Sequence, residues 1–438
     1  TDFLLAGVGA SVDTRTLRPG EVFFALPGKQ AHGALYAAEA LSKGAAAVVV
    51  PPEYATNLPK SQVVIHPEPL RLLGQIAALY RRKFSVPVIA IGGSNGKTTT
   101  KALLGHILSQ YAPTLVSPRS WNNAIGVPLT LLRLRRSHKF VVIELGDNHP
   151  GEVHALCDIA YPTIGTITNI GQDHLEGYGD ISTNLSTKWE LVEHLAKVSG
   201  ATFFLNGEDV LLSSQPLPPT LRVYRYGNVP NSVGTAFWQP IDWEASRIWG
   251  SIFGESFEAK IPLWGSFNRL NVLAALLIAH TLKVPLNQMI AALSTFRNEA
   301  YRSQVLRRGE KTIILDAYNA NPSSLSASLA ALWESLPEGN QVSLILGQME
   351  ELGSHTENAH KEALTNLIPH ASHIKGIVLI GPYWERAFLQ DYPFPIHWVH
   401  RVEDFPHQLE WLHSSSVIYL KGSRSQRLEQ LVESGVIG

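Results

Sequence analysis

Cysteine is almost absent. Cys157 is the only one in 438 residues, which excludes an intrachain disulfide framework and any multi-cysteine zinc or iron–sulfur centre. A lone thiol also fits a reducing compartment. Net charge is nearly absent too: 36 Lys and Arg stand against 37 Asp and Glu. No global field therefore draws the chain to a nucleic-acid polymer or an anionic membrane, although a local basic pocket stays open. No apolar run approaches the roughly 18–20 residues that span a bilayer. The opening TDFLLAGVGASVDTR lacks the basic-then-apolar order of a signal peptide. Short repeats and low-complexity segments are also missing. What is present is globular, with 45% hydrophobic and 17% charged residues, unlike a disordered chain. At roughly 150 residues per domain the length suggests about three domains. The expectation is a soluble, cytosolic, multidomain protein with no membrane insertion.

The residue pattern divides the chain into three α/β units. In residues 1–84, EVFFAL and AAAVVVPP read as strands around the helical ALYAAEALSKG, which ends at a glycine cap. QIAALYRRKF is an amphipathic helix leading to a boundary near residue 85. Residues 85–299 follow a strand–helix–strand order through PVIAIGG, NGKTTTKALLGHILSQY, KFVVIELG and PTIGTITNIG. That order predicts a parallel sheet with ligands at its C-terminal strand ends. SIFGESFEAKIPL reads as a hairpin and NRLNVLAALLIAHTLKV as a strongly apolar helix. In residues 300–438, TIILDAY, QVSLILG, GIVLIG and SVIYLKG are four strands of a Rossmann-like unit.

The sharpest signal is VPVIAIGGSNGKTTTK. An apolar strand runs into Gly93, Ser94, Asn95, Gly96, Lys97, Thr98 and Thr99, and a helix follows. Glycines let the backbone wrap a phosphate, and loop amides with the helix N-terminus stabilise its charge. Lys97 can reach the β/γ oxygens, and the Thr98 hydroxyl can hold Mg²⁺. Ile91 stands where the longer form of the motif has a glycine, so this is the short G-x-x-G-K-T-T loop. A phosphate loop alone names no reaction.

Three residues lie at or just beyond apolar strands downstream: Glu144 in VVIELG, His174 in NIGQDHLEGYG and Lys188 in STKWELVEHL. A carboxylate oxygen there suits Mg²⁺, and an imidazole suits a second metal ion. Taken singly, such a histidine reads as structural and such a lysine as solvated. Their order after the phosphate loop sets them apart.

GGSNGKTTT, NNAIGVPLTLL, ELGDNHPGEV and NIGQDHLEGYG, in that order, closely resemble the central domain of the Mur ligases. These ATP-dependent enzymes add amino acids to the nucleotide precursor of peptidoglycan. The resemblance covers nearly the whole chain, from SVDTRTLRPGEVFFALPG to KGSR. Through DAYNANPSS, LGQMEELGSHTENAH and KGSRSQRLE it points to the member that adds D-alanyl-D-alanine to UDP-N-acetylmuramoyl-tripeptide. It implies a small UDP-substrate domain, a central ATPase-like domain and a Rossmann-like domain for the incoming dipeptide. It further implies a monomer in the bacterial cytoplasm, using ATP and two Mg²⁺.

The resemblance also assigns residues. Asp13, Thr14 and Arg15, with Phe24, Ala25, Leu26 and Gly28, fall in the segments that hold the UDP-sugar end. An arginine and a hydroxyl suit a pyrophosphate, though a surface ion pair is the other reading of Arg15. His32-Gly33-Ala34 departs from the family's D-G-H. Asn122 and Asn123 would bind the muramoyl-peptide near Mg²⁺, or serve only the loop. Asn268 would read the adenine edge, with Phe267 in place of the family's histidine and Asn271 structural. Arg302 would bind phosphate and Asp316 ribose, with Tyr318, Asn319 and Asn321 in the same loop. Lys421, Ser423 and Arg424 would lie near the dipeptide, or simply turn the chain after a strand. Thr98, Glu144, His174 and Lys188 would serve the metal ions. Lys188 would do so as a carbamate, since a bare ammonium repels Mg²⁺. Lys97, Lys188, His174 and Arg302 are the expected catalytic set.

The implied reaction activates a carboxylate as an acyl-phosphate, which the dipeptide amine then attacks. No nucleophilic side chain is needed. Two other readings are a sister ligase, adding a diamino acid or resembling folylpolyglutamate synthase, and a non-catalytic nucleotide-binding scaffold. D-N-P-x-R, the mark of the diamino-acid adder, is missing. A scaffold would be expected to have lost Lys97, Glu144 or Lys188, and all three are present.

Overall fold

The computed structural model describes residues 9–28, 31–387, 391–406 and 408–437. Three sheets follow one another along the chain. The first has four parallel strands in chain order, Ala10–Ser11, Val22–Phe24, Ala47–Val50 and Val63–Ile65. The buried run Ala47–Val50 suits a sheet covered on both faces. The helix Ala37–Ser42 precedes it and is closed by Gly44 at φ +87°, as the sequence predicts.

The helix Pro69–Arg81 ties this small domain to the next. Its Leu73, Ile76, Ala77 and Tyr80 form one buried stripe, with the spacing of a helix face. They join a single apolar core running from Val22 and Phe24 to Val88, Ala90 and Leu129. Arg81 is buried without an acid partner among the described residues. Its guanidinium donates instead to the carbonyls of Ala160 (3.0 Å), Phe84 (2.6 Å) and Val86 (3.1 Å), which satisfies most of its donors.

The central sheet has nine strands in the spatial order Glu255–Ile261, Ser246–Ile252, Gly234–Pro240, Arg222–Tyr226, Thr202–Asn206, Ile164–Ile167, Val88–Gly92, Phe140–Glu144 and Thr114–Val116. The first three pair antiparallel, including the expected hairpin, and the others are parallel. The helices Lys97–Tyr111 and Arg269–Thr281 pack together against this sheet. All nine residues from Asn271 to Ala279 are buried, which explains why that helix is apolar on every side.

The third sheet has six strands. The four expected strands are parallel: Lys311–Asp316, Val417–Lys421, Val342–Gly347 and Ile374–Ile380. Two edge strands flank them, Gln304–Arg308 antiparallel and Ile396–Val399 parallel. The C-terminal ends of Val88–Gly92 and Phe140–Glu144 and those of Lys311–Asp316 and Val417–Lys421 border one cleft. Parallel sheets place ligands at such ends.

Candidate active site

The strand Val88–Gly92 is wholly buried between Phe140–Glu144 and Ile164–Ile167. The chain leaves it at Gly93 (φ +121°) and enters the helix Lys97–Tyr111 at Gly96 (φ +82°). A Cβ on Gly93 would lie 2.1 Å from Thr168 Oγ1, and one on Gly96 2.4 Å from Asn271 Oδ1. Both positions therefore need glycine for space as well as for backbone angle. A relay of amides braces the loop from behind. Thr100 donates to Asn271 (3.1 Å), Asn271 to Asn268 (3.0 Å) and Asn268 to the Trp264 carbonyl (2.9 Å). Asn268 thus spends its amide on the brace while still bordering the cleft. The Lys97 ammonium donates to the carbonyls of Gly93 and Ser94. Ser94 donates to Asp173 (2.5 Å) and accepts from the Gly171 amide (2.8 Å).

Glu144 ends its strand with a side chain only 2% exposed. Its Oε1 accepts from Asn122 (2.9 Å), while Oε2 has no hydrogen bond among the described residues and faces the Lys101 ammonium at 3.4 Å. Asn123 does not join this set, because its Oδ1 accepts from the amides of Ile125 and Gly126. Lys188 lies beneath the cleft on the helix Ile181–Leu195 with a side chain 1% exposed. Its ammonium donates to Asn184 (2.5 Å) and Asp147 (3.1 Å), stands 3.5 Å from Asp173, and sits 4.9 Å from the Tyr178 ring centre. Burial pushes the Asp173 carboxyl up, but Lys188, Lys97 and hydrogen bonds from Ser94 and Asn184 more than offset it and hold its pKa below the usual value. The contacts of Lys188 are thus two aspartates and an asparagine. His174, at φ +50°, turns instead to the third domain, with Nδ1 2.7 Å from Glu351 Oε2.

The third domain supplies the opposite wall. The Arg302 guanidinium lies 3.9 Å from the Tyr318 ring centre, and its Nε has no hydrogen-bond partner among the described residues. Asp316 accepts from Lys421 (2.6 Å) and from the Ser303 amide (3.2 Å), and Lys421 also donates to the Asn319 carbonyl (3.2 Å). Asn321 caps the helix Pro322–Ser335. From there it donates to Asn95 (2.9 Å), which donates in turn to Ser323 (3.0 Å). Ser120 and Tyr318 share a hydroxyl hydrogen bond. The phosphate loop therefore touches the third domain directly.

The resulting cleft holds about 470 Å³ and is bordered by Ser94–Thr99, Asn122, Glu144, His174, Asn268, Arg302, Asp316, Tyr318, Asn319 and Lys421. Gly93, Asn123, Lys188, Asn321, Ser423 and Arg424 are outside its lining. Ser423 accepts from the Glu350 amide (3.0 Å), and Arg424 pairs with Glu429 at 2.5 Å. In the first domain, Arg15 forks onto Asp13 with its side chain 85% exposed. The Arg15 hydrogen bonds hold the Asp13 carboxyl below its usual range. Phe24 and Leu26 are core residues and Thr14 is buried, so these side chains do not face solvent.

Sequence reasoning passed over Lys101, Asp147, Asp173, Asn184 and Glu351. The motifs contained four of them: Lys101 closes GKTTTK, Asp147 follows ELG, Asp173 precedes His174, and Glu351 stands in QMEELG. Asn184 lies one helical turn before Lys188. Among the described residues, no group of three or more His, Cys, Asp or Glu forms a ready-made metal cage. Nor is any helix there long and apolar enough to cross a membrane.

Comparison with known proteins agrees along the whole chain. Residues 8–81 match the Mur ligase family catalytic domain, 91–279 the Mur ligase middle domain, and 301–424 the Mur ligase glutamate ligase domain. The UDP-N-acetylmuramoyl-tripeptide–D-alanyl-D-alanine ligase of Escherichia coli strain K12 is 32% identical over 97% of this chain and 92% of its own length. A crystal structure of MurF from Acinetobacter baumannii superposes with a TM-score of 0.87 at 25% identity, covering 99% of this chain and 98% of that one. MurF ligase from Thermotoga maritima, solved with ADP, shares the fold with a TM-score of 0.85 at 24% identity, covering 100% and 98%. With every domain matched in order and a relative above 30% identity spanning nearly the full length, the chain belongs to the Mur ligase family, a family of ATP-dependent ligases.

Proposed function

We propose that this protein joins D-alanyl-D-alanine to UDP-N-acetylmuramoyl-tripeptide, driven by ATP, in bacterial peptidoglycan precursor synthesis. Residues 1–84 take the UDP-muramoyl end, 85–299 take ATP and 300–438 take the dipeptide. A single chain supplies all three domains, so a monomer in the cytoplasm suffices. One observation carries the reading. Lys97, Thr98 and Glu144 on one wall share a cleft with Arg302, Asp316 and Lys421 on the other. A ligase that must bring ATP against a carboxylate and an amine needs such a two-domain cleft. The full-length similarity to the Escherichia coli enzyme supports the choice of substrates.

The terminal carboxylate of the tripeptide attacks the γ-phosphorus, giving an acyl-phosphate and ADP. The dipeptide amine then attacks the acyl carbon, loses a proton and expels phosphate. Lys97 exchanges its two carbonyl contacts for phosphate oxygens, and Arg302 meets the transferring group from the opposite wall, so charge is met where it develops. Asp316 accepts from the ribose hydroxyls. The contacts of Asn95 and Ser120 join the third domain to the central one, which limits water around the intermediate.

Magnesium, when bound, would neutralise phosphate charge. Thr98 and Glu144 fit one ion: both border the cleft, and Glu144 Oε2 lacks a hydrogen bond. Mg²⁺ is commonly held by one or two carboxylates plus substrate phosphates. His174, its Nδ1 held by Glu351, would offer Nε2 to a second ion, with Lys188 as a carbamate. That carbamate would stand beside Asp147 and Asp173, each of which has one oxygen without a hydrogen bond among the described residues. Three buried anions would need compensating positive charge, which a second ion would supply.

The test is phosphate release with ATP, Mg²⁺ and UDP-muramoyl-tripeptide, offered either D-alanyl-D-alanine or single amino acids. Release that depends on the dipeptide is expected. Release with a single amino acid alone would replace this reading with that of a sister ligase.

A further inference from the structure

The phosphate-loop helix carries a second lysine that the proposed reaction does not use. Lys101 lies one turn beyond Lys97, with a side chain 1% exposed. Its ammonium stands 3.4 Å from Glu144 Oε2 and 3.4 Å from Glu299 Oε1, and it donates to the Arg119 carbonyl. The three partners come from different segments. Glu144 ends a central strand. Glu299 lies in the connection between the helix Leu286–Ser294 and the strand Gln304–Arg308. Arg119 begins the loop whose Asn122 holds Glu144 and whose Ser120 meets Tyr318.

A buried ammonium costs several kcal/mol in lost hydration, and an apolar residue of similar volume often stabilises as well. Packing alone therefore does not explain Lys101. Its place midway between two carboxylates does suggest a role, because one belongs to the cleft and the other to the linker into the third domain. We propose that Lys101 is a positioning residue that couples the charge at Glu144 to the linker carrying Arg302. The inference rests on Glu144 being the cation-binding acid of the proposed reaction. With Glu144 free, the ammonium is shared between the two acids. Positive charge arriving at Glu144 repels it, leaving it to Glu299 and the Arg119 carbonyl. Glu299 precedes Arg302 by three residues. Tyr301 and Ser303, on either side of Arg302, are both left-handed (φ +62° and +51°), so the linker follows a constrained path. A stronger pull at Glu299 is thereby passed to Arg302, which faces the cleft beside Tyr318.

Amide hydrogen exchange on the full chain tests this, comparing ADP alone with ADP plus Mg²⁺. In the wild type, Mg²⁺ should slow exchange across residues 297–303 by about tenfold beyond ADP alone. Glu299→Gln, at a partly exposed position, and Lys101→Met should both lose that Mg²⁺-specific protection. The loop at residues 93–99 should stay protected by ADP in each. Their kcat should fall about tenfold with the KM for ATP within about twofold, since only transition-state positioning is lost. A merely structural Lys101 would lower the melting temperature and leave the Mg²⁺-specific difference intact. If Lys101→Met does not fold, Glu299→Gln decides alone. Linker protection in Glu299→Gln equal to the wild type, or none in the wild type, overturns the proposal. Failure of the ligase reading shows separately, as wild-type protein that releases no phosphate with the dipeptide.

Discussion

The phosphate loop and the Lys188 pocket lie at the same end of one sheet, yet they are built in opposite ways. The loop is shaped by backbone: Gly93 and Gly96 take left-handed angles against Thr168 and Asn271, and its only cation, Lys97, rests on two carbonyls. The pocket is shaped by charge: Lys188, Asp147 and Asp173 are almost wholly buried and held by one another and by Asn184. A backbone cradle is ready for an anion before one arrives. A buried ion cluster is ready only for the charges it already contains, and any change of charge must be matched by another. The loop thus provides a standing site, whereas the pocket balances its charges within itself.

The comparison breaks most sharply at Lys97. Lys97→Ala should lower kcat by about 10³ or more, since it removes a cation aimed at transferring phosphate. The fold should stay intact, because the lost contacts are two loop carbonyls. Circular dichroism together with turnover checks both, and near-normal turnover would refute the assignment. Lys188→Ala should also lose most activity, by about 10²-fold, but for a different reason. Added short carboxylic acids should restore part of it by taking the place of the carbamate, whereas no such additive should rescue Lys97→Ala. Full activity in the unrescued Lys188 variant would defeat the carbamate.

Gly96→Ala probes the backbone cradle alone. The left-handed angle and the 2.4 Å approach to Asn271 should cost about 1–3 kcal/mol of stability and weaken ADP binding, read by thermal melts with and without ADP. Asp173→Asn probes the charged pocket, and its effect is read against pH. The Asp173 carboxyl titrates below its usual value in the folded protein. Its stabilisation is therefore complete above the ordinary range near pH 4 and is lost as pH falls through the lowered folded value. Melting temperature against pH should show that acid limb in the wild type and a flatter one in the variant. Identical limbs would mean that Asp173 does not anchor the pocket.

The same contrast explains what was legible in the sequence. A backbone cradle is written locally, in glycine spacing between a strand and a helix, and Gly93–Thr99 could be read from sixteen consecutive residues. The Lys188 pocket joins residues 147, 173, 184 and 188, and only the fold shows that Asp147 and Asp173, rather than Glu144 and His174, meet the amine. The fold divides likewise. Fully buried strands such as Phe140–Glu144 and Val342–Gly347 stood out as apolar runs. Arg222–Tyr226 and Gln304–Arg308, polar and half-exposed, did not. In the first domain the motif around Asp13 and Arg15 was visible, but their mutual pairing and the burial of Phe24 and Leu26 depend on packing.

The central claim is that the cleft forms an acyl-phosphate between its two walls. Labelling the terminal carboxylate of the tripeptide with ¹⁸O tests it most directly. If the carboxylate attacks the γ-phosphorus and phosphate later leaves the acyl carbon, the phosphate released with D-alanyl-D-alanine must carry one labelled oxygen per turnover. Phosphate released in step with peptide product but free of label would contradict the account.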